Sequence, residues 1–211
     1  MNGYVAWGIL LIGVVGYLYW KKNKARRRAH KSGWYAGPTV NGKAYSSNVA
    51  SQPTLGPEGL YIDLPVGKGS LNYLQCFDLS SMRNVREMRL RFRVDADEDV
   101  RFIAQDAEAS PIASLGLMIQ RRGDRHDDKY ESYRWFSNAE VVLAPGEFEI
   151  VVPVNTLNMA GMNGGKDPQL LLAALADVDN YGIVFGSAGG RGHGVFVSGP
   201  ARFTILDFNI S

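Results

Sequence analysis

The sequence predicts a mainly β protein: an antiparallel β-sandwich of the jelly-roll type with one short helix, preceded by a single N-terminal transmembrane helix. Three observations predict it. Apolar and polar residues alternate with period 2 in run after run from about residue 60 onward. The runs are separated by turn-forming clusters such as "DADED", "RRGDRHDD", "APGE" and "GSAGGRGHG". The chain also opens with an uncharged apolar run that stops abruptly at a block of cations.

That opening run, Tyr4 to Trp20, is 17 residues long. As a helix rising about 1.5 Å per residue it spans roughly 25 Å, enough for a thin bilayer core. Trp7 at one end and Tyr17, Tyr19 and Trp20 at the other are amphipathic aromatics where interfacial anchors belong. A cleaved signal peptide would carry its charges before the apolar run and a small-residue cleavage site after it, and the order here is reversed. Lys21, Lys22, Lys24, Arg26, Arg27 and Arg28 follow the run, so the positive-inside rule places the N-terminus outside and the C-terminal domain in the cytoplasm. Cations set directly against an apolar segment suit anionic lipid head groups better than nucleic acid.

The formal net charge of +2 hides two opposite halves. Residues 1–57 contain eight Lys/Arg and no acid, whereas residues 58–211 contain fifteen Lys/Arg against twenty-one Asp/Glu, a net −6. An acidic head is a poor match for a phosphate backbone, so nucleic acid is set aside as a partner. Three domains are expected: residues 1–31 as the transmembrane helix with its basic flank, 32–59 as a flexible Gly/Ser/Pro linker, and 60–211 as the jelly-roll domain.

Within the head the elements follow in order. "YLQCFDL" reads as a strand carrying the single cysteine, Cys76, as a buried structural thiol. "EMRLRFRVDA" sets Met88, Leu90, Phe92 and Val94 against Arg89, Arg91 and Arg93, a half-buried strand. "VRFIAQD", "SLGLMIQRR", "YRWFS", "AEVVLA", "EFEIVVPV", "YGIVFGS", "GVFVS" and "ARFTILDFNI" continue the series. Only "DPQLLLAALADV" departs, with Asp167 as N-cap, Pro168 at the first helical position, and Leu170, Leu171, Ala174 and Leu175 on one face.

The order of "LLLAALADV", "DNYGIVFGS", a glycine loop and "GPARFTILDFNI" resembles the C-terminal part of galactose-binding-like jelly rolls. That superfamily includes carbohydrate-binding modules and the related domain of the complex I intermediate-associated assembly factors. "GSLNYLQCFDLSSMRNVREMRLRFRVDAD" is similar to their paired front strands. The resemblance implies a fold that binds along a concave face or in the loops at one end; such folds host many unrelated functions.

Residues for chemistry are few. The three histidines show no metal-ligand spacing, one cysteine excludes a zinc-finger pattern, and "GxSxG" is absent. No catalytic residue and no cofactor are therefore expected. Asp95, Asp97 and Asp99 offer hard oxygens as a calcium loop would, but they fall where two strands should turn, so a solvated turn is favoured. The sharpest local feature is "FGSAGGRGHGVF", where Gly189, Gly190 and Gly192 allow close backbone approach and Arg191 and His193 project as donors, a candidate ligand or partner loop. Tyr133 and Trp135 join it as candidates: exposed, they would stack on a sugar or anchor a protein; buried, they are core.

Two functions compete on these grounds. One is a non-enzymatic, membrane-anchored structural or assembly subunit whose head docks other protein subunits of a larger complex, such as a respiratory or photosynthetic assembly or the membrane layer of a virion. The alternative is a membrane-tethered carbohydrate-binding module. A cytoplasmic head meets few free polysaccharides, which favours the first.

Overall fold

The computed structural model describes residues 33–40, 43–77, 82–106 and 112–211. The expected transmembrane helix and its flank, with Trp7, Tyr17, Tyr19, Trp20, Lys21, Lys22, Lys24, Arg26, Arg27 and Arg28, lie outside the described residues. Among the described residues no helix is long and apolar enough to cross a membrane.

Two antiparallel sheets face one another, a mainly β sandwich consistent with a jelly-roll-like fold. The first sheet is built from β1 (Trp34–Gly37), β6 (Tyr73–Cys76), β14 (Val178–Gly186), β9 (Ser114–Arg121), β10 (Arg134–Ser137) and β13 (Met159–Gly161) in that spatial order, with β11 (Val141–Val142) also pairing β9. The second runs β12 (Gly146–Pro153), β7 (Glu87–Ala96), β16 (Ala201–Ile210), β5 (Leu60–Asp63) and β4 (Thr54–Leu55). Two small hairpins complete the set: β2 (Thr39–Val40) with β3 (Lys43–Ala44), and β8 (Phe102–Ala104) with β15 (Val195–Val197).

Alternation explains the second sheet directly. Met88, Leu90, Phe92 and Val94 of β7 turn inward to meet Ile150, Val152, Phe203 and Ile205, and the Phe92 ring stacks between Phe148 and Phe203. The intervening arginines face solvent and meet acids of the neighbouring strand, Arg89 with Glu149 at 3.5 Å and Arg91 with Glu147 at 3.2 Å. Half-exposed pairs of this kind add about 0–1 kcal/mol each and mainly keep that face soluble.

The helix α1 (Pro168–Ala176) begins as the sequence requires: Asp167 accepts the Gln169 N–H at 2.8 Å and Pro168 takes the first turn. Leu171, Ala174 and Leu175 are buried, but Leu170 points outward with Leu172. Three apolar positions suffice for a helix this short to cover one edge of the core, so the fourth is not drawn in.

The expected linker is corrected. Residues 33–59 belong to the sandwich: β1 pairs with β6 from Trp34 opposite Cys76 to Gly37 opposite Tyr73, and β4 pairs with β5. Side chains then staple the segment between them. Ser46 Oγ donates to the Gly37 carbonyl and accepts the Asn72 N–H at 2.9 Å, while Ser47 and Ser70 exchange backbone hydrogen bonds at 2.8 and 3.0 Å. The segment has no alternation because β1 is buried on both faces. Its Ser and Gly residues are there for tight stapling, although such residues also make flexible coil.

Candidate functional site

The register of the first sheet sorts its side chains onto two faces, since directly opposed residues in antiparallel pairs point the same way. Trp34, Cys76, Tyr181, Ile119 and Trp135 form one row across the sheet, facing the second sheet. Tyr35, Gln75, Gly182, Met118, Phe136 and Ala160 form the next row, facing away from it. The outward face also carries Asn180, Gln120 and Arg134 in one row and Tyr73, Val184 and Gly116 in another. Yet nearly all these residues are buried, because loops fold over the face.

Those loops leave an open groove of about 1090 Å³. Phe136, Tyr73 and Arg134 line its floor, with His126 beside them. One wall is the β2–β3 hairpin with Lys43 and Tyr45; another is the turn after β13 with Met162 and Asn163. The third is the glycine loop between β14 and β15, which contributes Gly189, Arg191, Gly192 and His193. Four of the five candidate loop residues thus converge on the groove. Gly190 does not line it; it is buried behind the loop beside Asp106 and Ser187.

Gly192 shows why the loop is glycine-rich. Its φ is +84°, and a Cβ there would stand 2.3 Å from the Tyr73 hydroxyl oxygen, so a side chain would collide with the floor. Asn72 fixes the same residue from below, donating Nδ2 to the Gly192 carbonyl at 2.8 Å. Arg191 is held at its tip, Nη2 donating to the Asn138 carbonyl at 3.1 Å, while its buried Nε has no acceptor. His193 Nδ1 lies 3.8 Å from Asp106 Oδ2 at the exposed rim.

Behind the floor runs a connected polar network. Gln75 Nε2 donates to Gln120 Oε1 at 3.0 Å and to Asn180 Oδ1 at 2.5 Å, and Asn180 Nδ2 donates to Gln120 Oε1 at 2.8 Å. Gln120 Nε2 then reaches Asp124 Oδ2 at 2.7 Å and His126 Nε2 at 2.8 Å. Asp124, 1% exposed at its side chain, also accepts the His126 N–H at 2.8 Å and forms an ion pair with Arg134, Nε to Oδ2 at 2.9 Å. The Arg134 N–H does not point along that line, so the pair is held by charge and this buried donor lacks a well-aligned acceptor.

Protonation states follow from the surroundings. Burial pushes the His126 pKa below its usual value, and Arg134 adds to the effect, against the opposing pull of Asp124. A neutral imidazole that receives the Gln120 amide proton at Nε2 carries its own proton on Nδ1. Burial also raises the Tyr73 hydroxyl to about 12, with the Arg134 guanidinium pulling the other way. The carboxylate of Asp124 is committed to three partners and His126 Nε2 to one.

The remaining candidates stand elsewhere. Trp135 is 1% exposed and packs in the core, its Nε1 donating to the Ser132 carbonyl at 2.9 Å. Tyr133 closes a 3-10 turn (Asp128–Tyr133), its ring under the Arg121 guanidinium at 4.7 Å and against Tyr130. Neither lines the groove; the groove aromatics are Phe136, one residue on, with Tyr73 and Tyr45. Strand alternation puts Trp135 and Phe136 on opposite faces, but it does not say which face the second sheet covers. Asp95 turns its carboxylate to Arg93 at 2.9 Å, and Asp97 caps a turn through its carbonyl to the Val100 N–H at 3.1 Å. Among the described residues no three or more His, Cys, Asp or Glu side chains, those of Asp95, Asp97 and Asp99 included, are gathered as a metal site would need.

The sequence itself held one sign of the network. Gln75, Gln120, Asn180 and Arg134 interrupt otherwise apolar strands, and a polar residue buried in a strand must find a partner. The chain matches no protein-family model and no curated protein.

Proposed function

We propose that the chain is a non-enzymatic assembly subunit, held at a membrane by its N-terminal helix, whose galactose-binding-like head docks a segment of a partner protein in this groove. The groove carries the reading. It is open, it is walled on three sides by loops anchored to a stiff sheet, and the titratable groups at its floor are locked in mutual hydrogen bonds. A preformed, rigid cleft binds an extended segment at a small ordering cost to the host. Burial of Trp135 leaves it unable to stack on a sugar, and Tyr45 is the one exposed aromatic of the groove among the described residues.

Purification of the full chain in mild detergent tests this. Stoichiometric elution with one or more partner proteins is expected. Elution as a lone chain, together with retention on a polysaccharide column, overturns the reading in favour of the glycan module. Protease digestion of the head from outside intact spheroplasts would overturn its cytoplasmic placement.

A further inference from the structure

The geometry points to a specific partner chemistry: the groove takes an acidic peptide segment, its carboxylates drawn to Lys43 and Arg191 on the groove walls. This rests on the docking reading above and names what is docked.

Charge carries the inference first. Lys43, Arg134 and Arg191 line the groove with one carboxylate, Asp106; Asp124 neutralises Arg134, which leaves Lys43 and Arg191 as the groove's cations against Asp106. They stand on a head whose residues 58–211 are net −6. A local excess of positive charge on an acidic body focuses anions at one place and repels them elsewhere.

Unpaired charge carries it second. Arg93 is clamped by the carboxylates of Glu58 and Asp95, and Arg202 by Asp63 at 2.7 and 3.2 Å. Arg191 instead meets a neutral acceptor, the Asn138 carbonyl at 3.1 Å, and Lys43 lies over the Tyr45 ring at 5.3 Å; among the described residues neither is paired with an acid.

Shape decides the source of the carboxylate. Lys43 and Arg191 stand on two of the three loop walls around one groove, a shape that suits a single extended chain better than a planar anionic surface. Tyr45 and Met162 on opposite walls offer apolar contact to the flanking residues of that chain.

Fluorescence anisotropy on the full chain in detergent tests the inference, with a short labelled peptide of alternating Glu and Gly as probe and the Gln version as its control. The Glu peptide should bind about tenfold to a hundredfold more tightly, as loss of a hydrogen bond to a charged group predicts. Arg191→Gln and Lys43→Gln should each erase most of that margin. Arg91→Gln, in the solvent-facing ladder of the other sheet, should leave it intact, and equal thermal midpoints would show that all three variants fold. Equal binding of the two peptides, absence of binding to both, or an equal loss in Arg91→Gln overturns the inference. Detergent co-purification separates the two levels. A partner retained equally by wild type and Arg191→Gln overturns only the acidic specificity, and a wild type that elutes alone overturns the docking reading itself.

Discussion

Replacing Asp124 by Asn should cost the head about 3–5 kcal/mol of stability, because it leaves the Arg134 guanidinium as an uncompensated buried charge. The carboxylate is 1% exposed, accepts from Gln120 Nε2 at 2.7 Å and from the His126 N–H at 2.8 Å, and forms an ion pair with Arg134, Nε to Oδ2 at 2.9 Å. An amide of the same shape keeps one oxygen, so it can accept from Gln120 or His126 but not both, and its NH2 then faces a donor. Each charge-assisted hydrogen bond lost is worth about 1.5–3 kcal/mol, and two are at stake besides the ion pair. Against the roughly 5–15 kcal/mol that holds a domain of this size, that is a large fraction. Urea unfolding of the full chain, followed by tryptophan fluorescence through buried Trp135, reads it as a lower midpoint at unchanged slope. Adding Arg134→Met to Asp124→Asn should recover most of the loss, since removing both charges costs far less than orphaning one. A loss under about 1 kcal/mol in the single variant, or no recovery in the double, would refute the claim that the pair is one energetic unit.

Two further outcomes follow from the same floor. His126 has its pKa lowered by burial, so the unfolded state takes up a proton at a higher pH than the folded state does, and stability falls as pH drops below about 6.5. His126→Asn, which tolerates the φ of +57° at this position, should flatten the dependence of the urea midpoint between neutral and mildly acidic pH; an unchanged slope would place the titrating group elsewhere. Gly182 lies in β14 between Gln75 and Met118 of the neighbouring strands, with φ +151°, and a Cβ there would stand 2.2 Å from the Leu74 carbonyl oxygen. Gly182→Ala should therefore lower stability by at least ~1–3 kcal/mol, seen as a reduced thermal midpoint, whereas Gly123→Ala, where a Cβ meets nothing within 4 Å, should cost less; similar losses would argue against the close packing of β6 on β14.

Legibility in the sequence followed how each strand is buried. β7 was readable to the residue, Glu87–Ala96, because one face meets the core and the other meets water, and the alternation records that contrast. β1 was missed because Trp34, Tyr35 and Ala36 are all buried, so no contrast exists to be read. The glycine loop was found because left-handed backbone restricts the residue type locally. Its neighbours across the groove, Lys43, Tyr45 and Met162, were invisible because nothing local distinguishes a wall residue from any other surface residue.

By itself the sequence determined the class of fold, most strand positions, the helix and its cap, and the acidic character of the head. These depend on nearest neighbours along the chain or on a simple period, so they survive without knowledge of what packs on what. Only the tertiary structure decided that residues 33–59 belong to the sandwich, that Phe136 rather than Trp135 faces the groove, and that Arg134 pairs with Asp124 and shares a groove with Tyr73 and the glycine loop. Which face of a sheet is covered, and by which loop, is set by contacts between segments as far apart as Asn72 and Gly192. No period within one strand carries that information, because both faces of a buried sheet look alike from inside it.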